Sequence, residues 1–374
     1  MQWIKAERDQ LIPPLQMVSG IVERRHTMPI LAHVLMTKNG SELAFLSTDL
    51  DVQITTRADF VSRSEFGGES ESAATTVAAR KLLDILRAVP AGEVNISMSD
   101  QRLTIQAGKS HFALQTLDAN DFPTVAQAQA FDLGVQMTQK EFKSLLGCTH
   151  FAMAQQDIRY YLNAMLLMVE GSVLSAVATD GHRLAFASAA VEGAFERREW
   201  IVPRKTVLEL QRLLEESDTP IRIDVAPNQA KFSFGRIELI SKLVDGKFPD
   251  FQRVIPQGYI RAFKMNHAAF QQALARAAIL TSDKSKGVRC LIAPGQLKII
   301  STNADNEEAQ EELDIDYTDN ISAEIGLNVN YLLDVLTHVK AEALQFSFAD
   351  ASASVLLTIP GNENFKYIVM PMRI

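Results

Sequence analysis

An apolar run that ends in Ser/Ala-Thr-Asp/Asn occurs three times in this chain. The copies are Leu46-Ser47-Thr48-Asp49, Val177-Ala178-Thr179-Asp180 and Ile300-Ser301-Thr302-Asn303. Roughly 120–130 residues separate consecutive threonines, too many for a solenoid repeat of about 20–50 residues and close to a whole domain of about 100–150. Two further phrases keep the same beat. Ala79-Arg80-Lys81-Leu82-Leu83-Asp84 returns as Pro203-Arg204-Lys205-Thr206-Val207-Leu208 and as Val329-Asn330-Tyr331-Leu332-Leu333-Asp334. Phe122-Pro123 returns as Phe248-Pro249 and Met370-Pro371. One fold used three times is expected, with domains at 1–130, 131–258 and 259–374 and linkers near 125–130 and 256–258.

Each repeat reads as strand, helix, strands, helix, strands. In the second, Leu133 to Met137 alternate like a half-buried strand. Thr138 then stands three residues before Glu141, the spacing of a capping box, and Phe142, Leu145 and Leu146 follow at helical intervals. The third copies this with Asn266 as cap and Phe270, Leu274 and Ala277 behind it. In the first, Ile12, Leu15, Val18 and Val22 keep the period, but Pro13 and Pro14 predict a helix that begins late or bends. Glu170-Gly171 reads as a hairpin turn. Strands and helices in this order, with short turns, predict an α+β fold with largely antiparallel sheets.

Several function classes find no support. The chain contains no Gly-x4-Gly-Lys-Ser/Thr phosphate loop, no His-Glu-x-x-His, no Cys-x-x-Cys and no Gly-x-Ser-x-Gly. Cys148 and Cys290 fall in different repeats and are expected as buried, reduced thiols. No apolar run approaches the roughly 20 residues of a membrane helix, and the N-terminus lacks a signal-peptide layout. A cytoplasmic protein is expected. Asp180-Gly181-His182-Arg183 reads as a tight turn. The alternative is an acid–base pair of Asp180 and His182, with Asp157 nearby, in a hydrolase or nuclease.

The formal net charge of −8 opposes indiscriminate nucleic-acid binding. The helical segments depart from that mean. Arg80, Lys81 and Arg87 stand against Asp84 in one, Lys140 and Lys143 against Glu141 in another, and Arg276 alone in a third. A mildly basic helical face suits loose phosphate contact. A second asymmetry lies between repeats: the first has Arg102, Lys109 and His111 on its late strands, and the third has an acidic run from Asp305 to Glu312. Opposite charges of this kind favour head-to-tail docking of one chain on another, which closes a ring when the rotation permits.

Five longer motifs carry a resemblance: Arg159-Tyr160-Tyr161-Leu162-Asn163, Thr179-Asp180-Gly181-His182-Arg183-Leu184, Val202-Pro203-Arg204-Lys205, Ser241 to Asp250, and the terminal Tyr367 to Ile374. Together they resemble the β subunit of bacterial DNA polymerase III, the sliding-clamp family, in register from Met1 to Ile374. The resemblance implies the DNA clamp fold: three clamp domains, each with two helices inside and antiparallel sheets outside, forming a ring as a homodimer. It implies a non-catalytic part without cofactor or metal. The ring surrounds duplex DNA without sequence preference and does not engage a membrane. Its implied partners are the DNA polymerase III α subunit, the clamp-loader δ subunit, and other polymerases and repair proteins that carry a short linear motif.

The same resemblance implies site residues. A motif-binding pocket falls on Leu162, Thr179, Gly181, His182, Arg183, Leu184, Pro249, Arg253, Val254, Ser354, Ile368, Val369, Met370, Pro371, Met372 and Arg373. There the aliphatic and methionine side chains give an adaptable surface, and His182 and Arg183 are expected to fix a peptide's polar end. DNA contact falls on Arg24, Arg25, Gln156, Arg159, Tyr160, Tyr161, Arg204 and Lys205. The dimer interface falls on Arg102, Lys109, Phe112 and Leu114 of the first repeat and on Ile279, Leu280, Glu307, Glu308 and Glu311 of the third. Pro13, Arg24 and His111 depart from the family pattern, and His111 makes that edge more sensitive to pH than an arginine does.

Overall fold

A computed structural model describes residues 2–22, 28–59, 73–99, 101–282 and 286–374. The first repeat runs β1 (Gln2–Glu7), α1 (Arg8–Val18), β2 (His33–Asn39), β3 (Glu42–Thr48), β4 (Val52–Asp59), β5 (Ala73–Ala78), α2 (Ala79–Ala88), β6 (Glu93–Ser99), β7 (Arg102–Ala107) and β8 (Ser110–Leu117). The second runs β9 (Leu133–Thr138), α3 (Gln139–Gly147), β10 (Ala164–Thr179), β11 (Arg183–Pro203), α4 (Arg204–Leu213), β12 (Pro220–Ala226), β13 (Gln229–Phe234) and β14 (Ile237–Lys242). The third runs β15 (Arg261–Asn266), α5 (His267–Ala277), β16 (Gly287–Ala293), β17 (Gln296–Thr302), β18 (Glu308–Asp314), β19 (Ala323–Asn328), α6 (Val329–His338), β20 (Ala343–Phe348), β21 (Val355–Ile359) and β22 (Asn362–Val369). First and third repeats thus share one order, with all strand pairs antiparallel.

The second repeat conforms once β10 is followed closely. A straight strand of its length would span roughly 50 Å. Yet Arg159, before its start, donates to the carbonyl of Asp180, just past its end. The chain therefore doubles back inside β10. It does so at Gly171, whose φ of 59° is left-handed and where the register with β11 breaks. The Glu170-Gly171 turn expected from sequence is that reversal.

By contact the chain forms two compact units. One comprises Met1–Gln139 with Arg212–Leu243, the other Lys140–Gln211 with Val244–Ile374. Each unit contains one junction between repeats, built by one rule. In the first, β14 of the second repeat pairs with β4 of the first, placing Leu239 opposite Ile54. In the second, β22 of the third repeat pairs with β11, placing Ile368 opposite Leu184. A continuous sheet crosses each junction.

Of the two expectations for helix α1, a late start or a bend, the late start does not occur: it begins at Arg8 and passes through Pro13 and Pro14. Each proline removes a backbone donor. The buried stripe Leu11, Pro14, Leu15 and Val18 compensates by packing the helix on β3 and β4. The Pro14 carbonyl also accepts a 2.9 Å bond from buried Thr56 Oγ1. Helix α5 is capped as its sequence predicts, with Asn266 Oδ1 accepting from Ala269 N at 2.9 Å. Cys290 is buried, which pushes its thiol up to about 12, whereas Cys148 is only half-buried. Among the described residues no helix is long and apolar enough to cross a membrane.

Leu15 is fully buried between α1 and its sheet. Leu15→Ala is expected to cost about 2–5 kcal/mol, as for other buried leucines, and chemical denaturation of the first unit measures the loss.

Candidate functional site

The recurring Thr-Asp phrase is a hydrogen-bonded turn. In the first repeat Thr48 Oγ1 donates to the Val52 carbonyl and accepts from Leu50 N, while Asp49 Oδ1 accepts from Asp51 N and Val52 N. In the second Thr179 Oγ1 donates to the Arg183 carbonyl and accepts from Gly181 N, while Asp180 Oδ1 accepts from His182 N and Arg183 N. The residue two past the threonine has φ of 80° at Leu50 and 90° at Gly181. Leucine tolerates this conformation only with strain. Glycine also admits a neighbour, for a Cβ at 181 would lie 3.1 Å from both terminal nitrogens of Arg159.

That substitution of glycine for leucine makes room. In the first repeat Leu50, with Leu35 and Leu46, packs against a cluster of Ile30, Leu31 and Phe122. The corresponding cluster of the second repeat holds Leu162, Leu166, Val177, Leu184, Phe248 and Ile368, with Tyr161, Phe186, Val244, Ile255 and Leu356 half-buried around it. No leucine stands at position 181 over this cluster, whose central residues are buried and whose border is half-buried. Eight of these, Tyr161, Leu166, Val177, Phe186, Val244, Phe248, Ile255 and Leu356, are absent from the sequence-derived pocket. Strand alternation is the signal for Leu166, Val177, Phe186 and Leu356, whereas Val244 and Ile255 lie outside any strand.

The terminal segment borders this cluster. Met370 N donates to the His182 carbonyl and Met372 N to the Gly326 carbonyl, both at 2.9 Å. Gly326, in β19, was not singled out from sequence, and a Cβ there would collide with the Met372 carbonyl. Met370 stands 49% exposed, where the earlier copies of its phrase bury Phe122 and Phe248. His182, Pro249, Arg253, Val254 and Arg373 are also exposed. Arg253 pairs with Asp250 at 2.8 Å, and the Ser354 carbonyl accepts from Tyr259 Oη. Val369 is buried on the face of β22 opposite Ile368.

Arg183 corrects the sequence reading. It is only 9% exposed and cannot greet a peptide's polar end. Its guanidinium reaches Asp180 Oδ2 at 3.1 Å, Asp334 Oδ2 at 2.5 Å, the Phe151 carbonyl at 2.7 Å and Tyr367 Oη at 3.4 Å, and it lies 4.4 Å from the Tyr331 ring centre. Burial opposes its charge, but Tyr367, Asp334 and Asp180 outweigh burial and hold its pKa above the ordinary arginine value. The group ties the second repeat to α6 and β22 of the third. The acid–base alternative fails on the same geometry. Asp180 is occupied by Arg183 and two backbone N–H groups. Asp157 is held by Arg159, which draws its carboxyl down to about 2.

The nucleic-acid candidates divide. Arg24 and Arg25 lie outside the described residues. Gln156 and Tyr160 are exposed, with Gln156 at φ 57°, and Tyr161 packs on the groove cluster. Arg159 is bound to Asp157 and the Asp180 carbonyl. Arg204 donates to the Met153 carbonyl at 3.4 Å, as Arg80 does to the Val22 carbonyl at 2.9 Å. Burial and the nearby Arg183 lower the pKa of Arg204. Lys205 is half-buried at the start of α4. Arg276 is no free helical cation: it forks onto Glu311 of β18 at 2.8 and 2.5 Å. The basic helical bias read from sequence is therefore partly consumed by local oxygens.

The interface candidates sit on sheet edges. Strand β8 pairs with β7 along its length but with β5 only at Thr116 and Leu117, leaving its first half open. Phe112 and Leu114 are half-buried on it, with Lys109 and Arg102 exposed nearby. Strand β18 is the outer strand of the four-stranded sheet. Beside it Ile279 is 75% exposed and Leu280 half-buried. Glu308 is exposed, Glu307 accepts from Asn303 Nδ2, and Glu311 is held below its ordinary pKa by Arg276.

Comparison with known proteins follows this geometry. Family models of the DNA polymerase III beta subunit match in order: the N-terminal domain over residues 2–126, the central domain over 136–250 and the C-terminal domain over 252–373. The chain is 43% identical to the beta sliding clamp of Pseudomonas putida over 371 residues, covering 98% of this chain and 99% of that one. It is 40% identical to that of Escherichia coli over 369 residues, covering 98% and 99%. The crystal structure of the DNA polymerase III subunit beta from Pseudomonas aeruginosa superposes with a TM-score of 0.93 at 41% identity, covering 99% of this chain and 100% of that one.

Arg183→Ala is expected to destabilise the second unit by roughly 1–3 kcal/mol, because it leaves the Phe151 carbonyl and the largely buried Asp180 carboxylate without their donor, while Asp334, 40% exposed, can turn to water. His182→Ala should leave the melting temperature unchanged. A pH effect is expected at His150, which meets the His338 ring at 4.8 Å between centroids. Burial first, then His338, lowers the His150 pKa below 6.5. The unfolded chain therefore binds a proton that the folded chain refuses, so stability falls as pH drops below 6.5 and levels off under the folded-state value. His150→Gln should flatten that fall in melts run across the range.

Proposed function

The chain belongs to the DNA polymerase III β-subunit family and works as a DNA sliding clamp, and on that footing we propose how its own residues close the ring and recruit partners. The observation that carries the reading is the pairing rule at the two repeat junctions. The last strand of one repeat pairs with a strand of the preceding repeat, β14 with β4 and β22 with β11. Among the described residues the first half of β8 pairs with no strand on its β5 side, and β18 is the outer strand of its sheet. Two copies satisfy both edges when β8 of each pairs with β18 of the other. Phe112, Leu114, Ile279 and Leu280 then form the apolar centre, and Arg102 and Lys109 face Glu307 and Glu308. Glu311 contributes through its pair with Arg276.

Three domains, 1–130, 131–258 and 259–374, give six around the closed homodimer, which surrounds duplex DNA. Gln156, Arg159, Tyr160, Tyr161, Arg204, Lys205, Arg24 and Arg25 touch the backbone loosely, because most of the described cations already have oxygen partners. Loose contact permits sliding, and retention comes from topology. The net charge of −8 limits binding from outside. The groove beside Gly181, His182 and Met370 takes a short apolar motif from the DNA polymerase III α subunit, the clamp-loader δ subunit, and other polymerases and repair proteins. The protein carries out no chemical step.

The test is retention after loading. The protein should stay on circular duplex DNA and leave linear duplex from its ends, and equal retention on both refutes encirclement. Sedimentation should give about twice 41.4 kDa. Ile279→Ala with Leu280→Ala should give monomers, and an unchanged mass refutes the edge pairing.

A further inference from the structure

The groove floor ends in a cation that the reading so far does not use. Across the β11–β22 pairing, the row Leu184–Ile368 is followed by the row Phe186–Lys366. Leu184 and Ile368 belong to the buried cluster, and Phe186 packs against it while stacking on Phe251 at 6.0 Å between ring centres. Lys366 Nζ lies 5.6 Å from the Phe186 ring centre, a cation–π contact that fixes the ammonium at the border of the floor. Other cations of the site are already paired: Arg183 with Asp180 and Asp334, Arg253 with Asp250, Arg159 with Asp157. Among the described residues no carboxylate pairs with Lys366.

We propose that Lys366 is a specificity-determining residue of this groove, selecting peptides that carry a carboxylate side chain beside the apolar residue covering Phe186. This rests on the groove being a peptide site. An apolar side chain seated on Phe186 removes water from around the ammonium, and a lysine desolvated on one side gains most from a carboxylate that replaces the lost water. A neutral amide at the same place gains less, and a basic residue is repelled.

A fluorescent peptide with a fixed Leu/Phe core, each flanking position varied as Asp, Asn or Lys, tests the assignment by anisotropy. At one flank Asp should bind about two- to fivefold tighter than Asn, with Lys weakest, as for a half-exposed ion pair. The preference should shrink as salt rises. Lys366→Met keeps the stem over the ring and should erase it, whereas Lys366→Arg should retain it. A flat charge series at every flank, or a preference that survives Lys366→Met, overturns the proposal while leaving the groove reading intact. If the core peptide binds equally after removal of residues 370–374, or does not bind the intact protein, the groove reading itself falls and the proposal with it.

Discussion

The buried guanidinium of Arg183 is the contact on which the rest of the groove depends. A charge at that depth is tolerated only with its donors satisfied, and here they reach four parts of the chain at once, the Phe151 carbonyl among them. Asp180 belongs to the turn after β10, Asp334 and Tyr331 to α6, and Tyr367 to β22. The turn fixes the His182 carbonyl, which in turn holds Met370 N. Position of the tail, of the turn and of the third repeat's helix is therefore one problem with one solution. Burial of the pair set is costly, so its value lies in geometry more than in net stability.

The repeats share a scaffold, and function grows from their departures. Where the first repeat packs Leu50 on its apolar cluster, the second has Gly181, and Phe186, Val244, Ile255 and Leu356 are left half-buried at the border of its cluster. Where the first two repeats bury a phenylalanine before proline, the third exposes Met370. Where β4 and β11 each receive a strand from the following repeat, β18 has none on its outer edge among the described residues. An open strand edge invites another strand, and a half-buried apolar border gives a side chain something to pack on. Both are departures from the same threefold plan.

Much of this was legible in the chain. The Thr-Asp phrase could be read because the turn needs a hydroxyl and a carboxylate at fixed offsets, and both bond to backbone within four residues. The Asn266 cap was legible for the same local reason. Arg183 was misread because arginine is ordinarily exposed, and its partners Asp334 and Tyr367 lie far along the chain. The helical charge bias misled in a similar way: Arg276 and Arg80 stand on helices, but their donors turn to Glu311 and to the Val22 carbonyl. Helix α1 was expected to start late or bend because two prolines weaken it locally, and with its buried stripe it starts at Arg8.

The sequence by itself determined the threefold repeat, the element order and the turns, since these are set by side chains bonding to nearby backbone and by periodic apolar spacing. Tertiary structure alone decided which residues became neighbours across strands. Phe186 and Lys366 are paired by the β11–β22 register, and Gly326 matters only because the Met372 carbonyl crosses it. Such contacts carry no local signature. They depend on which strand edges meet, and that is fixed by packing between repeats rather than by any stretch of residues within one.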